Sequence, residues 1–293
     1  MLYFDFCRGW IFSSPRFGNS LLAARLPSAA EKTLSALVSL VLPDDCRVCG
    51  HPLRNVSRIP VCPKCLTAPE PLAAEYLCAA CRAPFASPWP LDEHGLCGLC
   101  RRGAHGFDAA YSYGFYDGTL RELIHLLKYG RIHTLAGPLG RFMALALPRD
   151  QRFDAIVPVP MHWRRRWERG FNQSVLLAQA LAQRTGLPVW KAAARRSRFT
   201  PPQAGLTSAQ RRDNMTRAFE VRKPDAVQGR RILLVDDVLT TGATASACAR
   251  ALKRSGAAHV AVLTVARADR RPAVPFQVST ASWGNDANSR SIA

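Results

Sequence analysis

A chain of 293 residues has room for two domains. Hydrophobic residues make up 48% of it, which excludes a chain disordered throughout. Forty Lys and Arg against 21 Asp and Glu leave a formal charge of +19. That balance points to a polyanionic partner, either nucleic acid or a phosphorylated ligand, or else to an arginine-rich composition without a specific partner.

The first residues, MLYFDFCRGW, carry an early acid and no basic start before an apolar core, so they do not read as a secretory signal. The apolar run from Leu34 to Leu42 is far too short to span a bilayer. A cytoplasmic protein with reduced thiols and no membrane span is expected. Residues 1–27 show no clear period and are expected to be a disordered extension, or not to be translated in the natural product. Residues 28–42 read as a short amphipathic helix with Ser28 as cap and Leu34, Leu37, Val38 and Val41 on one face.

Eight of the ten cysteines fall in four CxxC pairs, Cys46/Cys49, Cys62/Cys65, Cys78/Cys81 and Cys97/Cys100. Four such pairs within 55 residues, with no βαβ pattern around them, point to zinc rather than to disulfides or a reactive dithiol. Each tight turn aims two sulfurs at one point, and two turns complete a tetrahedron. Gly50, just after Cys49, suits a left-handed backbone that closes such a turn. The segment has few large apolar residues, so metal binding would supply folding energy, roughly 10–16 kcal/mol per structural site. Two closed, structural zinc sites are expected, and the spacing leaves sequential and interleaved pairing both open. Cys7 and Cys248 stand alone, and Cys248 falls within a helical pattern as a core residue.

After Cys100 the pattern changes. Residues 107–118 read as strand and turn, 119–130 as a helix ended by Gly130, and 134–147 as a second helix. A short strand follows over 154–160, then a helix over 171–186 ended by Gly186. Arg164, Arg165, Arg166 and Arg169 sit between them in an expected loop with Trp163, Trp167 and Phe171. Arg195, Arg196 and Arg198 precede Phe199. Arginine beside aromatics suits single-stranded nucleic acid, with Arg164, Arg165, Arg166 and Trp167 as the candidates; binding of pyrophosphate or solvent alone is the other reading. RILLVDD then reads as a buried strand, 243–256 as a helix and 258–267 as another strand. This alternation is that of an α/β domain with a parallel sheet. The tail from 272, rich in small and polar residues, is expected to be disordered.

The stretch RILLVDDVLTTGAT, residues 231–244, carries the chemistry. In an open parallel sheet, ligands bind beyond the carboxyl ends of the strands. Asp236 and Asp237 offer acceptors for a ribose diol or help position magnesium. Thr240, Thr241, Gly242, Ala243 and Thr244 offer hydroxyls, backbone N–H groups and a helix N-terminus for a phosphate.

ILLVDDVLTTGAT resembles the phosphoribosyl-pyrophosphate (PRPP) signature of type I phosphoribosyltransferases. The resemblance assigns the ribose hydroxyls and magnesium to Asp236 and Asp237, and the 5-phosphate to Thr240 through Thr244. The four CxxC pairs, KYGRIHTLA, VPVPMHWRRRWERGFNQS and RFTPPQAGLTSAQRRDNMTRAF together resemble the ComF/GntX family over residues 30–267. That family joins a double zinc ribbon to a phosphoribosyltransferase-like domain. The resemblance implies a helix plus double zinc ribbon over 28–105, a phosphoribosyltransferase-like domain over 106–271 and a tail over 272–293. It implies a pyrophosphate loop at Pro160, Met161, His162, Trp163 and Arg169, and a mobile loop carrying Arg198, Gln203, Arg211 and Arg212. Arg82 stands where many relatives have glycine and would strain its knuckle if left-handed.

Two functions follow from the resemblance. One is handling of single-stranded DNA during DNA uptake and natural transformation, with a PRPP-type ligand site and uptake-machinery proteins as partners. The other is an active phosphoribosyltransferase using magnesium-PRPP, for which the aromatic segment 107–116 is a candidate base-reading hood. The residues leave turnover, acceptor and oligomeric state open.

Overall fold

The computed structural model describes residues 45–53, 57–196 and 218–268, with the side chains of 164–166 set aside. The expected extension 1–27, the helix 28–42, the tail 272–293, Cys7 and the mobile-loop residues Arg198, Gln203, Arg211 and Arg212 lie outside the described residues.

The cysteine-rich part carries α1 (Pro63–Thr67), β1 (Tyr76–Leu77), β2 (Pro84–Phe85) and α2 (Gly98–Arg101). There follow β3 (Ala109–Phe115), α3 (Gly118–Lys128), a 3₁₀ turn (His133–Leu135), α4 (Ala136–Ala146) and β4 (Ala155–Pro158). Next come α5 (Trp163–Arg169), α6 (Gln173–Thr185), β5 (Ala194–Arg196), β6 (Phe219–Val221) and α7 (Pro224–Val227). β7 (Arg231–Leu239), α8 (Ala243–Arg254) and β8 (His259–Arg267) complete the described chain.

Strands β3, β8, β7 and β4 form a parallel sheet in that order. Its two central strands are near-continuous apolar runs because both faces are covered. Side chains alternate along β7, so Ile232 and Leu234 join the α8 side of the core. Leu233 and Val235 join the side built by α3, α4 and α6. Gly140 permits that second layer to close, since a Cβ there would lie 2.7 Å from the Ala180 Cβ. Helix α6 starts where Asn172 accepts from the Ser174 N–H at 3.0 Å and ends at Gly186, whose φ of 72° is left-handed.

Two expectations are corrected. The segment 107–116 is not a hood: it supplies β3, the edge strand paired in parallel with β8. Within it, Tyr113 is buried and stacks on Phe142 at 4.5 Å. The arginine-rich stretch expected as a loop folds instead as α5.

The cysteine-rich segment is not a detached module. Between its halves, the Leu72 N–H donates to Tyr113 O at 2.5 Å and Tyr113 Oη donates to Pro69 O at 2.8 Å, which covers the free edge of β3. Gly114 allows this approach, because a Cβ would meet Glu70 O at 2.7 Å. Cys46 and Cys65 belong to the core on the α3/α4/α6 face, whereas Cys78, Cys81 and Cys97 belong to the core on the α8 face. The segment therefore straddles the edge strand, one half per face. Stripping the metal should then unfold more than the ribbon. The Cys46→Ser/Cys49→Ser variant should lose zinc and fall by several kcal/mol in stability, with tryptophan fluorescence and far-ultraviolet dichroism melting together. A zinc-depleted variant whose sheet melts as in the parent would show that the two parts are energetically separate.

Candidate functional site

The four CxxC pairs resolve into two tetrads, Cys46/Cys49/Cys62/Cys65 and Cys78/Cys81/Cys97/Cys100, so the pairing is sequential. Within each, the sulfurs lie within 4.8 Å of one another. Cys49–Cys62 and Cys78–Cys100 are 3.7 Å apart and Cys81–Cys97 is 3.8 Å apart. A tetrahedron with Zn–S bonds of about 2.3 Å has edges of about 3.8 Å, so the donor set fits zinc. Backbone N–H groups of Cys62 and Cys97 each point at a sulfur of the partner knuckle at 3.3 Å. Burial opposes ionisation of Cys46, but the amides of Cys62, Cys49 and Val48 outweigh it and bring the thiol down to about 6. Burial and the neighbouring sulfurs push Cys65 and Cys100 far up. Four thiolates cannot share this space without a cation to hold them. Gly50 and Arg82 close matching turns, at φ 72° and 52°. The arginine accepts a left-handed backbone at a cost of about 1–2 kcal/mol.

On the sheet, β7 does not stop at Val235 but runs through both acids to Leu239. Adjacent residues on a strand face opposite ways, and the two carboxylates accordingly have separate partners. Asp236 Oδ1 accepts from Ser174 Oγ at 2.8 Å and from the Asp237 N–H at 2.9 Å. Asp237 is buried, and Lys128 Nζ lies 3.1 Å from its Oδ2, off the axis of a hydrogen bond, as an ion pair. Burial and the charge of Asp237 push the Asp236 carboxyl up to about 7, with Ser174, the Asp237 amide and Lys128 only partly offsetting them. Behind the pair, Lys128 lies 5.9 Å from the Tyr116 ring centroid, and Tyr116 Oη is 2.8 Å from His125 Nε2.

The turn Thr240–Gly242 leads directly into α8. Gly242 takes φ 72°, a left-handed conformation that favours glycine, beside the rings of His105 and Phe107. Thr241 Oγ1 accepts from the Ala243 N–H at 3.2 Å, while Thr240, Thr241 and Ala243 are exposed and Thr244 half-buried. An exposed turn at a helix N-terminus, beside two acids, can bind a phosphate and hydroxyls together.

Of the expected pyrophosphate-loop residues, Pro160, Met161 and Trp163 line an open cavity of about 830 Å³ with Phe171, Lys191, Arg196 and Arg222. His162 is buried, its ring centroid 5.5 Å from that of Trp163. Arg169 turns elsewhere: its Nη1 donates to Gln173 Oε1 at 2.8 Å and its guanidinium lies 5.2 Å from the Tyr129 ring centroid. The cavity walls include neither aspartate. Trp163 and Trp167 are 62% and 88% exposed, unusual for tryptophan. The described ends of β5 and β6 flank the segment carrying Arg198, Gln203, Arg211 and Arg212.

Lys128 and Ser174 are not among the site residues that the sequence suggests. Both sit near helix ends, where a basic C-terminal residue and a serine read as ordinary helix chemistry. Their role comes from contacts with a strand more than sixty residues away in sequence.

Residues 172–283 match a family model described as the phosphoribosyl transferase domain. Over 158 residues the chain is 40% identical to the DNA utilization protein YhgH of Escherichia coli K12, covering 52% of this chain and 69% of that protein. The YhgH protein of Salmonella typhimurium is 35% identical over 234 residues, 78% of this chain and 99% of its own. Competence protein F of Haemophilus influenzae is 33% identical over 162 residues, 53% and 71%. Among solved structures, adenine phosphoribosyltransferase from Thermoanaerobacter pseudethanolicus superimposes with a TM-score of 0.30 and 20% identity, over 49% of this chain and 82% of that one. Glutamine PRPP amidotransferase from Bacillus subtilis gives 0.33 and 22%, over 45% of this chain and 26% of that one. Identity of 35–40% over more than two thirds of proteins named for DNA utilization, joined to the matching domain and the cysteine tetrads ahead of it, shows that the chain belongs to the ComF family.

Proposed function

We propose that the protein binds PRPP or a related phosphoribosyl ligand at Asp236–Thr244 and acts in handling single-stranded DNA in the cytoplasm during DNA uptake. The observation that carries the ligand reading is the pair of carboxylates embedded in the central strand directly before an exposed phosphate turn. The ribose hydroxyls would donate to Asp236 and Asp237, and the 5-phosphate would rest on Thr240, Thr241, Gly242, Ala243 and Thr244. Lys128, paired with Asp237, would offer a cation to the incoming ligand's own negative charge. Magnesium would arrive with the ligand's pyrophosphate, using one or two carboxylates here and water elsewhere. Pro160, Met161 and Trp163 would line the pyrophosphate side. Zinc, one ion per tetrad, supplies a structural cross-link when bound and no chemistry at the sugar. The same site would serve turnover, with the carboxylates steadying positive charge as the pyrophosphate departs.

The DNA reading draws support from the relatives named for competence and DNA utilization. It also draws on the 830 Å³ cavity, where Lys191, Arg196 and Arg222 lie beside the exposed Trp163. Cations there would track phosphates while the indole stacks on a base. No helix among the described residues is long and apolar enough to cross a membrane.

The ligand reading is tested by calorimetry with magnesium-PRPP. Asp236→Asn/Asp237→Asn should weaken binding a hundredfold or more, since each lost charged hydrogen bond is worth about 1.5–3 kcal/mol. Unchanged binding would overturn the assignment. The single variant Asp236→Asn has a second signature. A carboxyl whose folded pKa stands at about 7, above its unfolded value, holds an extra proton when folded, so its effect on stability turns unfavourable as pH rises from about 4 to about 7. Asn keeps the acceptor for Ser174 without the charge. It should raise the melting temperature at pH 8 and change it little at pH 4.

For nucleic acid, Lys191→Gln/Arg222→Gln should weaken binding of a labelled single-stranded oligonucleotide in fluorescence anisotropy. The slope of log affinity against log salt should flatten by about 1.4, or about 0.7 for each phosphate no longer neutralised. An unchanged slope would place the DNA path elsewhere.

A further inference from the structure

The two tetrads share a ligand set but not a setting. In the second, Cys78, Cys81 and Cys97 are 0%, 2% and 4% exposed, and Cys100 is half-buried. Its first knuckle is bonded to the sheet at two points. The Ala110 N–H of β3 donates to Ala80 O at 2.9 Å, and Arg267 Nη1 of β8 donates to Cys81 O at 2.7 Å. A cleft of about 350 Å³ borders this tetrad at Cys81 and Cys97, but both residues stay covered.

The first tetrad is open on one side. Cys46 and Cys65 are buried, Cys62 is half-buried, and Cys49 is exposed. Arg47, Gly50 and His51, its neighbours in the chain, are exposed with it. The backbone bonds of this knuckle run within the tetrad's own segment: the Cys46 N–H donates to His51 O and the Gly50 N–H to Cys46 O, each at 2.8 Å, and the Arg47 N–H donates to Pro60 O at 3.0 Å. Cys49 Sγ lies 3.7 Å from Cys62 Sγ on the facing knuckle. Bonded sulfurs sit about 2.05 Å apart, so a movement of roughly 1.7 Å between two knuckles would join them. A metal ligand is held as thiolate, and the thiolate that solvent reaches is the one that oxidants reach first.

We propose that the first tetrad is a peroxide-sensitive site, with Cys49 as the attacking thiolate and Cys62 as the resolving one, and that the second tetrad is permanent. The Cys49 thiolate attacks one oxygen of hydrogen peroxide; the O–O bond breaks, hydroxide leaves and a sulfenic acid forms. The Cys62 thiolate attacks that sulfur; the S–O bond breaks, a second hydroxide leaves and the disulfide forms. Each sulfur is oxidised by one electron, and each peroxide oxygen is reduced by one. Cys46 and Cys65 alone do not complete a tetrahedron, so this half gives up its ion. The chain at Pro69–Leu72, which closes the edge of β3, then loses its tie on that side, while the second tetrad keeps its bonds to β3 and β8. The proposal rests on zinc in both tetrads, an assignment that the zinc content before treatment tests by itself.

Zinc-loaded full-length protein is treated with hydrogen peroxide. Released zinc is read with a chromogenic chelator, retained zinc by native mass spectrometry, and linkages by peptide mapping. One ion per chain should leave as a Cys49–Cys62 linkage appears, and the other should stay at least tenfold longer. Dithiothreitol with added zinc should restore both ions. Cys49→His keeps four zinc-binding side chains and removes the attacking thiolate, so it should slow the fast release at least tenfold; Cys100→His should not. The unaltered chain supplies a measurement free of any variant: excess chelator without oxidant should withdraw one ion fast and one slowly, with alkylation mapping the fast one to Cys46–Cys65. Release of both ions at one rate, a first linkage that excludes Cys49, or fast loss from Cys49→His would overturn the proposal and leave the zinc assignment standing. A folded protein that purifies without zinc would overturn both.

Discussion

Two adjacent carboxylates in the middle of a buried parallel sheet are the constraint around which the rest is arranged. Neither can be solvated as it would be in water, and each repels the other. Burial and that repulsion push the Asp236 carboxyl up to about 7. Asp237 has Lys128 at 3.1 Å. Ser174 is presented to Asp236 by the first turn of a helix whose cap, Asn172, also donates to Val159 O at 3.1 Å, at the end of the neighbouring strand. Helices α3 and α6 thus meet the central strand at the one place where its apolar run breaks. A carboxylate retained at a cost of a few kcal/mol is what a binding site looks like in a fold otherwise optimised for packing.

The cysteine tetrads answer a different shortage. Residues 45–105 form only short helices and two-residue strands, too little to enclose a core of their own. Each tetrad instead completes one face of the main core, and the linker between them seals the edge of β3. A metal ion held by each tetrad would replace apolar bulk with coordination energy. The arrangement leaves one edge of the sheet closed by the chain between the two tetrads.

Legibility in the sequence follows the range of the interactions. Periodicity locates β7, α6 and α8, and Gly186 marks the end of α6 because it acts on its own neighbours; the end of β7 falls two residues beyond the acids that the sequence places there. The CxxC spacing locates the ligands, but the pairing needs the three-dimensional path, since identical twelve-residue gaps allow either arrangement. Lys128 is illegible because its partner is more than a hundred residues away. β3 reads as a strand and equally as a hood, since aromatics at a half-exposed edge look alike whether they stack on Phe142 or on a ligand. Helix α5 reads as a loop because its three consecutive arginines break any apolar stripe. Of the site, the acids and the turn are legible as a string; their separate partners on opposite sides of the strand are not.

The turn Thr240–Gly242 ties these threads together. Gly242 packs against His105 and Phe107, which follow the last ligand of the second tetrad by five and seven residues. Gly106 between them comes so close to α8 that a Cβ would lie 2.4 Å from Ser246 O. Arg267, at the end of β8, bonds the knuckle at Cys81 O, and the next residue, Ala268, donates its N–H to Leu239 O at the root of the turn. The backbone that would cradle a phosphate is therefore braced on one side by its own helix and on the other by the segment that carries the second tetrad. A shift in that knuckle reaches the turn through two residues rather than through the whole sheet. This geometry places the second tetrad's segment beside the turn as well as beside the core; close approach to α8 accounts for the glycine at 106, and a left-handed φ of 72° for the glycine at 242.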